Sequence, residues 1–351
     1  MRTHRAFMAA AAVLALGLFA AGCGPEPEPA GPSTGTDGAA GNTAGSVDAG
    51  AGTELTQAEL DAVEKADRPY KLALVVKTRN NPFFDPMIKA AEEEAKALGA
   101  ELEVQAPAQE SDKERQFAMV QDLTARKVDA ILIAPADSKG IVPALKQAQD
   151  QNILVINIDN RIDPDTASSG GLNLSAYVGA DNEEGGRLAG EAMVEALGGS
   201  GKVAILEGIR GADNAEARKR GFQSAIEGKL DVVATDTAEW DTQKAYAKFQ
   251  SMLAAHPEIQ GLFCANDKMA VGALQALSEA GKQGKVVVIG YDNIPDVRPA
   301  LDTGELYGTI EQHPDLMGKY GVRAAVGILN GKVQRGGELL VPLEVIRAKG
   351  K

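Results

Sequence analysis

At 351 residues, with 44% hydrophobic and 24% charged residues, the chain is long enough for two separate cores and has the composition of a globular protein. Its 49 acidic residues outnumber 36 basic ones, a net charge of -13 that argues against nucleic acid, whose binding needs phosphate neutralisation by Lys and Arg. The three histidines, His4, His256 and His313, form no pair, which points away from a metal centre and from a His-assisted nucleophile.

Arg2 and Arg5 precede a short apolar run from Ala6 to Phe19, too short to remain as a membrane span, and Ala20-Ala21-Gly22-Cys23 supplies a small-residue cleavage context. Residues 1–23 therefore read as a signal peptide. A cysteine directly after Ala-Ala-Gly resembles a bacterial lipoprotein signal, which implies that the Cys23 thiol receives a lipid and becomes the new N-terminus. Ala20 stands where Leu is more usual, and an ordinary secretory signal cut nearby is the alternative. The other cysteine, Cys264, lies in a predicted strand, so a lipidated Cys23 leaves no disulfide in the mature chain.

Residues 24–52 are rich in Pro, Gly, Ala, Ser and Thr and carry no aromatic residue, the composition of a flexible tether. Gly31-Pro32-Ser33-Thr34-Gly35 matches a nucleophile-elbow pattern, but it lies in this tether rather than between a strand and a helix. Thr56 and Glu59 have the spacing of a capping box ahead of Leu60 and Val63 and predict a short helix, which completes a linker over 24–69.

From Tyr70 the pattern is α/β, with apolar strands alternating with amphipathic helices. Strands are predicted at Leu72 to Val76, Glu101 to Ala106, Ala130 to Ala134 and Ile153 to Asp159, with helices near Phe84 to Leu98, Asp112 to Arg126 and Ile141 to Gln149. The series restarts at Tyr177-Val178-Gly179, followed by a helix from Asp181 through Leu197 and strands at Val203 to Leu206, Val232 to Thr235, Leu262 to Ala265 and Val286 to Ile289. A helix from Leu316 to Asn330 and a last strand from Leu339 to Ile346 follow. Continuous apolar runs suit parallel sheets covered on both faces, and two tandem series predict two similar doubly wound lobes.

In such sheets ligands sit outside the carboxyl ends of the strands, so the residues that follow each strand carry the functional information. Lys77, Asn81, Phe83 and Phe84 follow the first strand, and Asp159, Asn160 and Arg161 follow the fourth. Arg218, Trp240, Asn266 and Asp267, Asp292, and Gln312 follow strands of the second series. Carboxylates, amides and a guanidinium suit hydroxyl groups, which both donate and accept, while flat aromatic rings suit the C–H faces of a polyhydroxylated ring. Each residue alone has an ordinary structural explanation, as a helix cap, a core ring or a solvated charge. Their recurrence after strand upon strand favours one ligand held between two lobes.

These pieces resemble the periplasmic sugar-binding proteins of ABC transporters of the ribose-binding type, above all its allose-binding branch. The resemblance runs from Tyr70 to Lys351 and rests on Val76-Lys77-Thr78 with Asn81-Pro82-Phe83-Phe84, Asn157-Ile158-Asp159, Glu216-Ala217-Arg218, Trp240-Asp241, Cys264-Ala265-Asn266-Asp267, Gly290-Tyr291-Asp292 and Gln312 with Pro314. It implies the type I periplasmic binding protein fold, with lobes at 70–180 plus 313–340 and 181–312 plus 341–351 joined by three crossings that close over ligand. It further implies that Phe83 or Phe84 and Trp240 sandwich a sugar ring. Asn81, Asp159, Arg218, Asn266, Asp292 and Gln312 would bond its hydroxyls. Lys77 follows the allose type. Asn160 replaces a charged residue of both types, Tyr291 replaces a Phe of the ribose type, and the exact sugar stays open.

The expected activity is capture of a monosaccharide or small polyol by a monomeric, lipid-anchored protein and delivery to an ABC permease, with no cofactor, no metal and no catalytic step. Presentation of ligand to a chemoreceptor or sensor kinase is the alternative. Gly198-Gly199-Ser200-Gly201-Lys202 has a superficial likeness to a phosphate loop, but Ala196 and Val203 occupy positions where that motif needs Gly and Ser or Thr. A sugar-responsive repressor would be expected to carry an N-terminal helix-turn-helix and a basic surface, whereas this sequence opens with a signal-like run and is acidic.

Overall fold

A computed structural model describes residues 54–350. The expectations for the signal peptide, Cys23 and most of the tether lie outside the described residues. The chain first forms the short helix α1 (Gln57–Asp61), whose Thr56 and Glu59 make the reciprocal capping box, with Leu60 fully buried beneath it.

Two six-stranded sheets follow. The first contains β1 (Lys71–Val75), β2 (Glu101–Gln105), β3 (Ala130–Ile133), β4 (Leu154–Ile158), β5 (Ala176–Gly179) and β11 (Gly337–Leu340), in the order β11-β5-β4-β3-β1-β2, all parallel. The second contains β6 (Gly201–Glu207), β7 (Leu230–Thr237), β8 (Gly261–Cys264), β9 (Val287–Ile289), β10 (Gly308–Glu311) and β12 (Glu344–Arg347), in the order β12-β10-β9-β8-β6-β7. Only β12 runs antiparallel, against β10. Taken over their first five strands, both sheets have the order 2-1-3-4-5, so each has a switch point between its first and third strands. Inner strands such as β3 and β4 are buried along their whole length, as their apolar sequences require, with Asn157 the one polar residue inside β4. The edge strands β2 and β7 depart from that pattern: Glu alternates with aliphatic residues in β2, β7 carries Asp231, Thr235, Asp236 and Thr237, and both strands are partly exposed.

The helices α2 (Phe84–Leu98), α3 (Lys113–Ala125), α4 (Val142–Asp150), α6 (Asn182–Ala196), α7 (Asp213–Ile226), α8 (Thr242–Ala255), α9 (Asp267–Glu279) and α11 (Pro314–Leu329) cover the sheets. Short helices α5 (Pro164–Ser169) and α10 (Arg298–Thr303) were not legible from periodicity. Asp163 caps α5 through its contact with the Thr166 N–H, and α10 grows from a 3-10 turn at Pro295–Val297. The predicted last strand is in fact two. Val341-Pro342-Leu343 interrupts it, because Pro342 has no N–H to give to a ladder, and β11 and β12 join different sheets.

The chain passes between sheets at three places: between β5 and α6, between β10 and α11, and between β11 and β12. Gly198 to Lys202 leads into β6 rather than following a strand, which leaves it no role as a phosphate loop. Helices α6 and α7 cross with almost no spacing. A Cβ on Gly221 would lie 1.8 Å from the Glu183 carbonyl oxygen, and one on Gly186 would lie 2.1 Å from that of Arg218. Glycine at this crossing therefore fixes where α7, and with it Arg218, meets the second sheet.

Candidate functional site

The carboxyl ends of the strands of both sheets face one cavity enclosing about 240 Å³ of space between atoms. Lys77, Asn81, Phe83, Phe84, Glu110 and Asp159 line it from the first sheet, and Asn214, Arg218, Trp240, Asn266, Asp292 and Gln312 from the second. Ten of the eleven residues expected from the sequence are in this lining.

Asn160 is the exception. Its side chain is fully buried but engaged elsewhere: its Nδ2 donates to the Pro135 carbonyl at 2.8 Å and to Ser138 Oγ at 3.2 Å, while its Oδ1 accepts from the Asn214 N–H at 3.0 Å. The short amide ends before the cavity, so the expectation of a direct ligand contact is corrected here.

On the second-sheet side most of the lining is tied into one hydrogen-bonded network, with Asn214 Oδ1 left without a partner. Arg218 donates through Nε to Asn182 Oδ1 at 2.8 Å, through Nη1 to the Ala265 carbonyl at 2.9 Å, and through Nη2 to Gln312 Oε1 at 3.3 Å. Its guanidinium lies 3.7 Å above the Tyr291 ring centre and 5.7 Å from that of Trp240. Gln312 Nε2 donates to Asp292 Oδ1 at 2.7 Å, and Arg218 approaches the same oxygen at 3.5 Å. Burial raises the pKa of Asp292 well above the usual carboxylate range despite the neighbouring Arg218. Behind it, Asp267 accepts from Thr309 Oγ1 at 2.8 Å and from the N–H groups of Tyr291 and Ile294, which locks the loop carrying Asp292. Burial pushes the Asp267 pKa up to about 7.

The first-sheet side is less tied down. Asp159 Oδ2 is buried without a hydrogen-bond partner, with Lys77 Nζ at 3.4 Å in ion-pair contact. Asn81 accepts from the Phe83 N–H at 3.1 Å and donates to Glu110 Oε1 at 2.8 Å, which fixes the turn into α2. The Phe83 and Phe84 rings meet edge to face at 5.0 Å. Desolvation raises the Glu110 pKa.

Three lining residues hold positive φ without being glycine: Asp159 at 58°, Trp240 at 63° and Asp292 at 113°. For a side chain as large as Trp this backbone costs about 1–3 kcal/mol, and such outliers concentrate at functional sites. Trp240 also needs Gly208 beneath it, since a Cβ there would lie 2.0 Å from its indole.

The chain matches the periplasmic binding protein domain over residues 72–333. It belongs to that family. Among relatives of this binding protein, the D-ribose/D-allose-binding protein of Pseudomonas aeruginosa is 34% identical over 81% of this chain and 91% of its own length. The ribose import binding protein of Escherichia coli is 40% identical over 80% of this chain and 93% of its own. A solute-binding protein of Actinobacillus succinogenes, solved with bound D-allose, is 37% identical and superposes with a TM-score of 0.76 over 80% of this chain and 98% of its own. The two-lobed fold is thus that of a type I periplasmic binding protein, and these relatives are solute carriers rather than enzymes.

Two lining residues were missed by reading the sequence. Glu110 lies beyond the end of β2, an edge strand. Asn214 lies one helical turn before Arg218 on α7 and so shares its face, and its Oδ1 is buried without a partner. The strand-end rule applied to every strand, with helical spacing, would have found both. Cys264 is buried in β8, and its thiol is held protonated by burial, in keeping with a core residue. No helix among the described residues is long and apolar enough to cross a membrane, and no cluster among them could hold a metal ion.

Proposed function

We propose that this protein captures a monosaccharide of the ribose or allose kind, or a small cyclic polyol, in the cavity between its lobes and hands it to an ABC permease. The observation that carries the reading is the pairing of buried, unpartnered oxygens on Asp159 and Asn214 with the rings of Phe83, Phe84 and Trp240 in one enclosed space. Unpaired buried acceptors are costly, and sugar hydroxyls would satisfy them while the ring C–H faces lie on the aromatics. The carboxyl oxygens of Asp159, Asp292 and Glu110 would accept from hydroxyls. Lys77, Asn266 and Arg218 would donate to them.

Residues 70–180 with 313–340, and 181–312 with 341–351, would act as two lobes hinged at the three chain passages. Ligand entry requires opening, because nearly all the lining is buried as the lobes stand. Family membership supports export. The Cys23 context supports lipidation, residues 24–52 a tether to a membrane, and a single chain encloses the whole cavity, which supports a monomer.

Thermal unfolding in the presence of D-ribose, D-allose, myo-inositol and glycerol tests the reading. A ligand at a hundred times its dissociation constant should add about 2.7 kcal/mol of stability. Stabilisation by D-ribose or D-allose supports it, and an unmoved transition with every compound, at millimolar concentration, contradicts it.

A further inference from the structure

Helix α7 carries two cavity residues, Asn214 and Arg218, yet its own N-terminus is uncapped from within. Ala212 occupies the N-cap position and has no side chain to offer, while the Ala215 N–H is already bonded to the Ala212 carbonyl. The two preceding N–H groups, of Asp213 and Asn214, have no partner in their own lobe's helix ladder. Both are satisfied from the opposite lobe. The Asp213 N–H donates to Ser138 Oγ at 3.2 Å, and the Asn214 N–H donates to Asn160 Oδ1 at 3.0 Å.

Ser138 follows β3 and Asn160 follows β4, and the two are joined by the Asn160 Nδ2 to Ser138 Oγ bond. All four residues lie together, with Ser138, Asn160 and Asn214 buried. We propose that Ser138 and Asn160 form a latch that caps α7 across the cleft, so that closing the lobes completes this helix and opening them uncaps it. They are positioning residues: they touch no ligand, but they set the closed state and hold the turn that presents Asn214 and Arg218. The proposal rests on the reading that the lobes close over a sugar.

A helix without its cap loses stability, and here the loss falls on the closed state alone, because an opened cleft lets water bond the same N–H groups. Asn160 also makes a bond inside its own lobe, to Pro135, and the two roles separate by substitution. Asn160→Ala removes both the internal donor and the cross-cleft acceptor. Asn160→Asp removes the internal donor but keeps the acceptor, and places negative charge at a helix N-terminus, where it is favourable.

Binding of D-allose and D-ribose is to be measured by calorimetry and stopped flow on the wild-type chain, Asn160→Ala, Asn160→Asp and Ser138→Ala. The latch predicts that Asn160→Ala and Ser138→Ala each bind about two- to thirty-fold more weakly, through faster release. Asn160→Asp should bind within about twofold of wild type, on the same cap energetics. Ligand-free melting temperatures should not separate Asn160→Ala from Asn160→Asp. Equal weakening in both Asn160 variants would mean that the residue only braces its own lobe, and undiminished affinity in Asn160→Ala would overturn the latch outright. Wild-type protein that binds neither sugar would instead overturn the reading of the cavity on which the latch rests.

Discussion

The two walls of the cavity come from sheets of the same strand order, yet they are built differently. On the second wall Arg218 is tied by hydrogen bonds to Asn182, Ala265 and Gln312, stacked on Tyr291, and backed by Asp267 under the Asp292 loop. On the first wall Asp159 Oδ2 has only Lys77 nearby at 3.4 Å and makes no hydrogen bond. The second wall is therefore assembled largely by the protein itself, with only Asn214 Oδ1 left open, and the first would be completed by a ligand. A ligand would dock on the rigid wall and be enclosed by the other, which makes mutations on the two walls differ in kind.

The largest effect is expected at Arg218→Ala, which removes the centre of the built wall and leaves the oxygens of Asn182, Ala265 and Gln312 without their donor. It should cost about 3–5 kcal/mol, visible in denaturant unfolding of the ligand-free protein as well as in sugar binding. Asp159→Ala should cost about 2–4 kcal/mol in sugar affinity, with ligand-free stability changed far less, since the opened first wall is hydrated. Equal loss of ligand-free stability in the two variants would erase the distinction between the walls.

Asp267 sharpens the comparison through pH. Its folded pKa, about 7, is raised above the ordinary 3.8, so the unfolded chain gives up this proton first as pH rises. Its contribution to stability is full below about pH 4 and is lost as pH climbs through about 7, with a slope of at most about 1.4 kcal/mol per pH unit. Unfolding free energies of wild type and Asp267→Asn, measured from pH 4 to 8, should diverge in that sense; parallel curves would place no titration there. The smallest effect is at Trp240→Ala. Relative to acyclic glycerol, ring sugars should lose about 1 kcal/mol more affinity, because only a ring offers a face to the indole. Equal losses for both would remove ring stacking from the account.

Much of this was written in local sequence. The inner strands are largely apolar runs whose ends are marked by Asn, Asp and Arg, so both sheets and most of the lining could be read from strand ends alone. What escaped depended on contacts between distant parts of the chain. Pro342 breaks one apolar stretch into strands of two sheets, which no periodicity reveals. Asn160 has the residue type and position of a ligand contact, and only the proximity of Ser138 and α7 shows where its amide is engaged. Asn214 was hidden because its neighbour Arg218, one turn on, carried the stronger chemical signal.

The central claim is that a sugar occupies this cavity, and the protein contains one tryptophan, Trp240, in its wall. Titration with D-allose and D-ribose, followed by tryptophan emission, therefore reads the site directly. A sugar held in this cavity should give a saturable change in intensity or wavelength with at least one of the two, abolished in Asp159→Ala at the same concentrations. Emission that stays constant while the same sugar raises the melting temperature would place the sugar elsewhere and contradict that claim.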